Sequence, residues 1–173
     1  MQPVLKTVRL MLRPLAAGDR EHLQNVFEGK GVRRYLFDNE EVSSELLGQI
    51  VETNLRASAE GLGLWLVCKD DHVTGCIGLS RASPQTIEIF PPFEGQIETI
   101  IALKENHWGG GYATEALRAV LAYASDALKH RRIVAVVDIP NRASHALFQR
   151  CDFRAIGSGQ GPLYRAIAYE RTT

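Results

Sequence analysis

Two places in this 173-residue chain have residue types and spacing suited to chemistry. The first is the run Trp108-Gly109-Gly110-Gly111-Tyr112-Ala113-Thr114-Glu115, between a short apolar strand and a long amphipathic pattern. Three successive glycines leave backbone N–H groups uncovered at the point where a helix begins. The first amides of a helix have no internal partners and its dipole adds partial positive charge there, so a phosphate can dock without a basic side chain. Ala113 is small enough to let a diphosphate approach the main chain, and Thr114 offers a hydroxyl donor. The second place is Glu98, a carboxylate on an otherwise apolar strand, where desolvation would raise its pKa toward the range of a general base. Both have plainer readings. A glycine turn is often only a tight connection, and Glu98 could face solvent or pair with an arginine. Glu115, in the first helical turn, reads as a structural or dipole-complementing carboxylate.

Other phosphate loops fit less well. A P-loop needs Gly-Lys-Ser/Thr at its end, and none follows Gly111. A dinucleotide fingerprint would start Gly109-x-Gly111 but meets Thr114 at its last glycine.

The elements that must position these residues follow from hydrophobic periodicity. Thr7 to Leu15 alternates as a half-buried strand closed by Pro14. Gly18-Asp19 opens a helical pattern with Leu23, Val26 and Phe27, ended by Gly29 and Gly31, and residues 33–38 follow as a loop. A helix starting at Ser43 or Ser44 carries Leu46, Leu47, Ile50, Val51 and Leu55 on one face, ended by Gly61 and Gly63. Leu64 to Lys69 and Thr74 to Arg81 read as a hairpin around Asp70-Asp71-His72. Thr86 to Phe90 and Gln96 to Leu103 supply further strand material, interrupted by Pro91-Pro92.

The pattern from Tyr112 to Lys129 predicts a helix with Ala116, Leu117, Val120, Leu121, Ala124 and Leu128 on one stripe and Lys129, His130 and Arg131 at its carboxyl end. Arg132 to Ile139 reads as a strand buried on both faces, parallel to the one before the helix. Another helix starts at Pro140 to Ser144, and Phe153 to Ile156 and Tyr164 to Glu170 are late strands. This order predicts one mixed α/β domain over residues 1–173, antiparallel in its first half.

Composition excludes several classes. Twenty basic and twenty acidic residues cancel, which argues against an electrostatic grip on nucleic acid or a membrane surface. No apolar run approaches a membrane span or a secretory leader, so a cytoplasmic protein is expected. Cys68, Cys76 and Cys151 are odd in number and lack ligand spacing, so neither a disulfide framework nor a metal site is expected.

The glycine run resembles the cofactor motif of the GNAT superfamily, the acyl-CoA-dependent N-acetyltransferases. The superfamily's Arg/Gln-x-x-Gly-x-Gly/Ala falls on Trp108 to Ala113, with Trp108 at the Arg/Gln place. Trp at that place, with Glu98 ten residues before it, is similar to the RimJ/RimL-like branch that acetylates ribosomal-protein N-termini. The resemblance extends to Arg9-Leu10-x-Leu12-Arg13-Pro14-Leu15, to Arg34-Tyr35-Leu36, and to Asn141-x-x-Ser144. The following Gly-Phe falls on Asp152 and Phe153, a departure that puts the local turn in question.

The resemblance implies a mostly antiparallel sheet with helices on both faces and a V-shaped split between its central parallel strands. It implies acetyl-CoA with the pantetheine beside Ile100, Ile101 and Ala102, the diphosphate on Gly109, Gly110, Gly111, Tyr112, Ala113 and Thr114, and contacts from Trp108, Asn141 and Phe148. The N–H near Ile101 is then the oxyanion donor, Glu98 the base and Ser144 the proton donor to the leaving thiolate. Asn141 and Ser144 also suit simple helix capping, and Trp108 simple packing. Phe148 stands where other branches carry a tyrosine donor, and it has no hydroxyl. By family position Arg33, Arg34, Tyr35 and Phe37 line the acceptor pocket, for a protein N-terminal α-amine or a small-molecule amine. Ile100 and Ile101 replace a glycine and an aromatic common in the branch, which leaves the acceptor open. The expected assembly is a monomer or homodimer, and a non-catalytic acyl-CoA-binding or sensing domain is the alternative.

Overall fold

Asp70 and Asp71 sit at φ +48° and +62° between two strands, the left-handed pair of a two-residue hairpin turn whose twist matches its flanking strands. In the computed structural model, which describes residues 1–172, this turn joins β3 (Gly63–Lys69) to β4 (His72–Arg81), with Lys69 opposite His72. The chain divides into two compact units, each built from two stretches: Met1–Leu79 with Ile101–Val120, and Ser80–Ile100 with Leu121–Thr173.

In the first unit, β1 (Leu5–Lys6) and β2 (Met11–Pro14) form an antiparallel pair, and β2 lies antiparallel to β3. The single strand expected over Thr7 to Leu15 is therefore two. Thr7 breaks it: its amide donates to Leu10 O at 2.9 Å, and the Leu10 amide donates back to Thr7 Oγ1 at 2.9 Å. That turn leaves Val8 97% exposed, against the alternation that had placed it inside. After a 3-10 turn, α1 (Arg20–Phe27) buries Leu23, Val26 and Phe27. The turn is tied to β2 by the Arg13–Asp19 pair, at 2.6 and 2.7 Å.

Residues 33–36, expected as loop, belong to α2 (Lys30–Leu36), which buries Val32. α1 ends just before Gly29, as the glycine signal predicts, but Gly29 then serves as the N-cap of a new helix and Gly31 lies inside its first turn. Next, α3 (Ser44–Ser58) is capped by the Ser43 hydroxyl accepting from the Leu46 amide. Its buried stripe is narrower than predicted, with Leu47 and Val51 inside and Leu46 and Leu55 exposed.

In the second unit, residues 86–89, expected as strand material, lie in a helix, α4 (Pro84–Ile89). Ser83 caps it through the Thr86 amide and Pro84 occupies its first turn, where a missing N–H costs nothing. Then β5 (Ile97–Leu103), which continues into the first unit, pairs parallel with β6 (Arg132–Asp138). Among the described residues that parallel register covers Ile97 with Ile133 and Glu98 with Val134 only, although β6 runs on to Asp138. A short register between longer strands is the expected split. β6 pairs along its whole length with β8 (Arg165–Thr172), and β8 with β7 (Arg154–Gln160), both antiparallel. Phe93, Val134 and Ala168 form this unit's core with Phe90 and Val136 against them.

Among the described residues, eight strands, mostly antiparallel with one parallel pair, and six α-helices make the mixed α/β class expected. The glycine turn leads into α5 (Tyr112–Asp126), whose Ala116, Leu117, Val120, Leu121 and Ala124 are buried. This helix stops three residues short of the predicted Lys129, which takes φ +60° beyond its end, with the His130 amide donating to Ala124 O. α6 (Arg142–Arg150) starts where predicted. All three cysteines are free and buried, and burial pushes the Cys76 thiol up to about 12. Among the described residues no helix is long and apolar enough to cross a membrane, and no group of three or more His, Cys, Asp or Glu could hold a metal ion.

Candidate active site: a glycine turn and a buried carboxylate

In the first unit the glycine turn is exposed from Trp108 to Gly111, with Gly109 at φ +75° and Gly111 at φ +77°. Both are conformations that L side chains rarely adopt, so glycine is favoured there. The Glu115 amide is the first to bond back, to Gly111 O at 3.1 Å. The amides of Tyr112, Ala113 and Thr114 precede it and have no carbonyl one turn behind them. This is the uncovered helix start that the sequence predicts.

One arginine holds that turn, and sequence reasoning did not single it out. Arg9, at the tip between β1 and β2, donates from Nη1 to Gly110 O at 2.9 Å and from Nε to Glu115 Oε2 at 2.7 Å. The Arg9 amide reaches Glu115 Oε1 at 2.8 Å, and the Thr7 hydroxyl donates to the same oxygen at 2.5 Å. The guanidinium also lies 4.5 Å from the centre of the Tyr112 ring. Burial pushes the Glu115 carboxyl up, but donors from Thr7, the Arg9 amide and the Arg9 side chain outweigh it and leave the pKa below its ordinary 4.5. Glu115 is thus the structural carboxylate expected.

Trp108 is half exposed, and its indole N–H donates to Leu103 O at 2.8 Å, closing the chain back on the end of β5. A Cβ on Gly31 would lie 2.4 Å from this ring, so only glycine lets α2 approach it. The Gly31 amide also donates to Glu105 Oε1 at 2.7 Å. The structure therefore brings the helix carrying the acceptor candidates against the segment that leads into the glycine turn. On that helix Arg33 pairs with Glu41 at 3.4 Å, with its Nε buried and lacking an acceptor among the described residues. The Arg34 guanidinium lies 5.3 Å from the Tyr35 ring centre. Phe37, just past the helix, packs edge-on against Phe27 at 4.8 Å. Ile101 is half-buried and Ala102 buried in this unit.

In the second unit Ile100 is half-buried and Glu98 is buried, 6% exposed. Neither plain reading of Glu98 fits, since it neither faces solvent nor meets an arginine in a described ion pair. Its Oε1 accepts from the Ser83 amide at 3.0 Å and the Ser80 hydroxyl at 3.5 Å, and its Oε2 from the Thr86 hydroxyl at 2.6 Å. Burial raises its pKa above the ordinary 4.5, and the hydrogen bonds from Thr86, Ser83 and Ser80 only partly offset this. Glu98 therefore also fastens the start of α4.

Asn141 is the N-cap of α6, and its Oδ1 accepts the Ser144 amide at 3.2 Å. That cap fixes Ser144, which is half-buried, in the first turn. The next residue, His145, lies 2.8 Å through Nδ1 from the Tyr169 hydroxyl and 3.1 Å through Nε2 from Asp138 O. A carbonyl only accepts, so Nε2 carries a proton in this arrangement. Phe148 is buried, edge-on to Phe153 at 4.9 Å and stacked near Tyr169 at 6.2 Å within this unit. Asp152 takes φ +65°, so the left-handed turn of the usual glycine is kept despite the side chain.

Sequence reasoning missed the roles of Arg9, Ser83, Thr86 and the His145–Tyr169 pair. Ser83-Pro84 was the available signal for α4, as a capping serine followed by a first-turn proline. Arg9 has no local signal, because its partners lie more than a hundred residues away.

A family model described as an acetyltransferase (GNAT) domain matches residues 9–154. The uncharacterized N-acetyltransferase YoaA of Bacillus subtilis is 28% identical over 160 residues, covering 91% of this chain and 86% of that protein. Among solved structures, a GnaT-family acetyltransferase from Bordetella pertussis superposes with a TM-score of 0.84 at 21% identity, over 99% of this chain and 100% of its own. RimL, a ribosomal alpha-N-protein acetyltransferase in complex with coenzyme A, does so with a TM-score of 0.81 at 19% identity, over 98% of each chain. At such identities these two likenesses speak for the fold.

Proposed function

Because the chain belongs to the GNAT acetyltransferase family, we propose that it takes acetyl-CoA as donor, seats its diphosphate on Gly109 to Thr114, and passes the acetyl group to a primary amine. The observation that carries this reading is the uncovered start of α5, where two left-handed glycines and three amides without a carbonyl behind them make a geometry suited to an anion. Family position and the short β5–β6 register support a pantetheine lying beside Ile100, Ile101 and Ala102.

The amine nitrogen attacks the thioester carbonyl carbon, the C–S bond breaks, the amine loses a proton and the thiolate gains one. The amide near Ile101 is the proposed donor to the oxyanion, and Ser144, fixed by its Asn141 cap, the proposed donor to the sulfur. Glu98 is the proposed base, its raised pKa bringing it nearer the working range. Its three donors hold the carboxylate in place, so it acts through water or at the edge of its hydrogen-bonded sector. Arg34 and Tyr35, whose guanidinium and ring centre lie 5.3 Å apart, are the leading acceptor candidates by family position. The RimJ/RimL-like motifs favour a peptide N-terminus as acceptor, and a small amine in the cytoplasm is the other member of the same class.

Release of free thiol from acetyl-CoA across a panel of peptides and small amines tests the reading. Acceptor-dependent release supports it, and coenzyme binding without release from any amine overturns it in favour of a binding or sensing domain.

A further inference from the structure

We propose that Arg9 is a positioning residue for the diphosphate: by holding the Gly110 carbonyl it aims the Gly111 amide at the anion. This rests on the glycine turn being the diphosphate site. In a trans peptide the carbonyl of one residue and the N–H of the next point in opposite directions. With Gly110 O drawn to Arg9 Nη1 at 2.9 Å, the Gly111 N–H is directed away from the arginine. Glycines on both sides of that peptide permit it to flip, which would turn a carbonyl toward the phosphates in place of a donor. Arg9 selects one orientation.

The arginine is itself held. Glu115 takes its Nε at 2.7 Å and its backbone amide at 2.8 Å, and the Tyr112 ring lies beneath the guanidinium at 4.5 Å. The pairing has a second effect. A carboxylate in the first turn of a helix would repel an anion docking there, and Arg9 neutralises it. Its guanidinium is therefore already engaged on both fronts before any ligand arrives, a role in shaping the turn and distinct from direct phosphate capture. One planar fork reaches both Gly110 O and Glu115; a lysine ammonium in its place would have to choose.

Isothermal titration with coenzyme A and with dephospho-CoA, which lacks only the 3′-phosphate, separates the two roles. Arg9→Ala should weaken both ligands by the same factor, about tenfold, and Arg9→Lys should stay weakened. In the variant the Gly111 amide resonance, single in the parent, should broaden or double as the peptide flips. Full affinity in Arg9→Ala overturns the proposal, as does full rescue by lysine, which would make charge alone sufficient. Loss confined to coenzyme A overturns it too, because Arg9 would then contact the 3′-phosphate. If Arg9→Ala does not fold, Thr7→Val removes one anchor of Glu115 and should weaken both ligands about threefold; unchanged affinity there overturns the proposal. A parent protein that binds neither ligand refutes the diphosphate reading itself.

Discussion

Two glutamates each fasten the start of a helix, Glu115 at α5 and Glu98 at α4, and their surroundings drive them in opposite directions. Glu115 is met by an arginine, a hydroxyl and a backbone amide at the surface, and its pKa falls. Glu98 is met by two hydroxyls and an amide in the interior, and its pKa rises. Three hydrogen bonds to a carboxylate do not by themselves bring its pKa down. Without a cation, the cost of taking the charge out of water prevails. The first arrangement suits a fixed scaffold beside the proposed anion site, and the second suits the proton exchange proposed for Glu98.

The largest expected effect tests the scaffold. Gly111→Val should abolish stabilisation by coenzyme A, which for a native-state ligand at a hundredfold excess over Kd is about 2.7 kcal/mol. A branched side chain is strained at φ +77°, and its Cβ would come within 3.4 Å of Arg9 Nη2, crowding the residue that holds the turn. An undiminished thermal shift would remove the anion site from this turn. Next, Ser144→Ala should lower kcat by ~10²-fold or more with coenzyme affinity unchanged, and a loss under about tenfold would leave Ser144 as no more than a capped first-turn residue.

The paired variants Glu115→Gln and Glu98→Gln address the contrast directly. Glu115 has a depressed folded pKa, so its stabilisation is present above the unfolded value near 4.5 and is lost as pH falls through the folded one. Glu115→Gln should therefore destabilise by about 2 kcal/mol at neutral pH and converge on the parent in acid. Glu98 has a raised folded pKa, so its stability is full below 4.5 and declines as pH rises through the folded value. Glu98→Gln should gain stability at neutral pH relative to acid, with kcat reduced most below the pKa of the amine if Glu98 is the base. Denaturant melts at a series of pH values that give the two variants the same slope would break the comparison. The smallest effect belongs to Ser83→Ala, a lost cap of about 1 kcal/mol that should also loosen Glu98. A neutral result in melts and in the Glu98 titration would mean that α4 does not depend on this corner.

What could be read from the sequence is what a few neighbouring residues decide. The Asp70-Asp71 turn, the α5 stripe, the Asn141 cap and the glycine run all declare themselves within one or two turns of chain. Thr86 to Phe90 misled because its alternating β-branched residues suit a strand, and the Ser83-Pro84 cap with Glu98 beneath it decides otherwise. Residues 33–36 misled because Gly29 and Gly31 look like terminators, whereas Gly31 is there to admit the Trp108 ring. Arg9 reads as one more polar residue of an opening strand until its distant partners are in place.

The sequence separation of 106 between Arg9 and Glu115 also bears on how the chain matures. At a synthesis rate of 5–20 residues per second, the opening turn waits roughly 5–20 s on the ribosome before its carboxylate exists. Throughout that interval Arg9 is an unpaired cation on a nascent hairpin. Loop closure over such a span must be met before the contact returns anything. The proposed anion cradle is therefore among the last parts of the first unit to form, and a chain truncated before Glu115 would carry the hairpins of the fold without the turn proposed to hold a coenzyme.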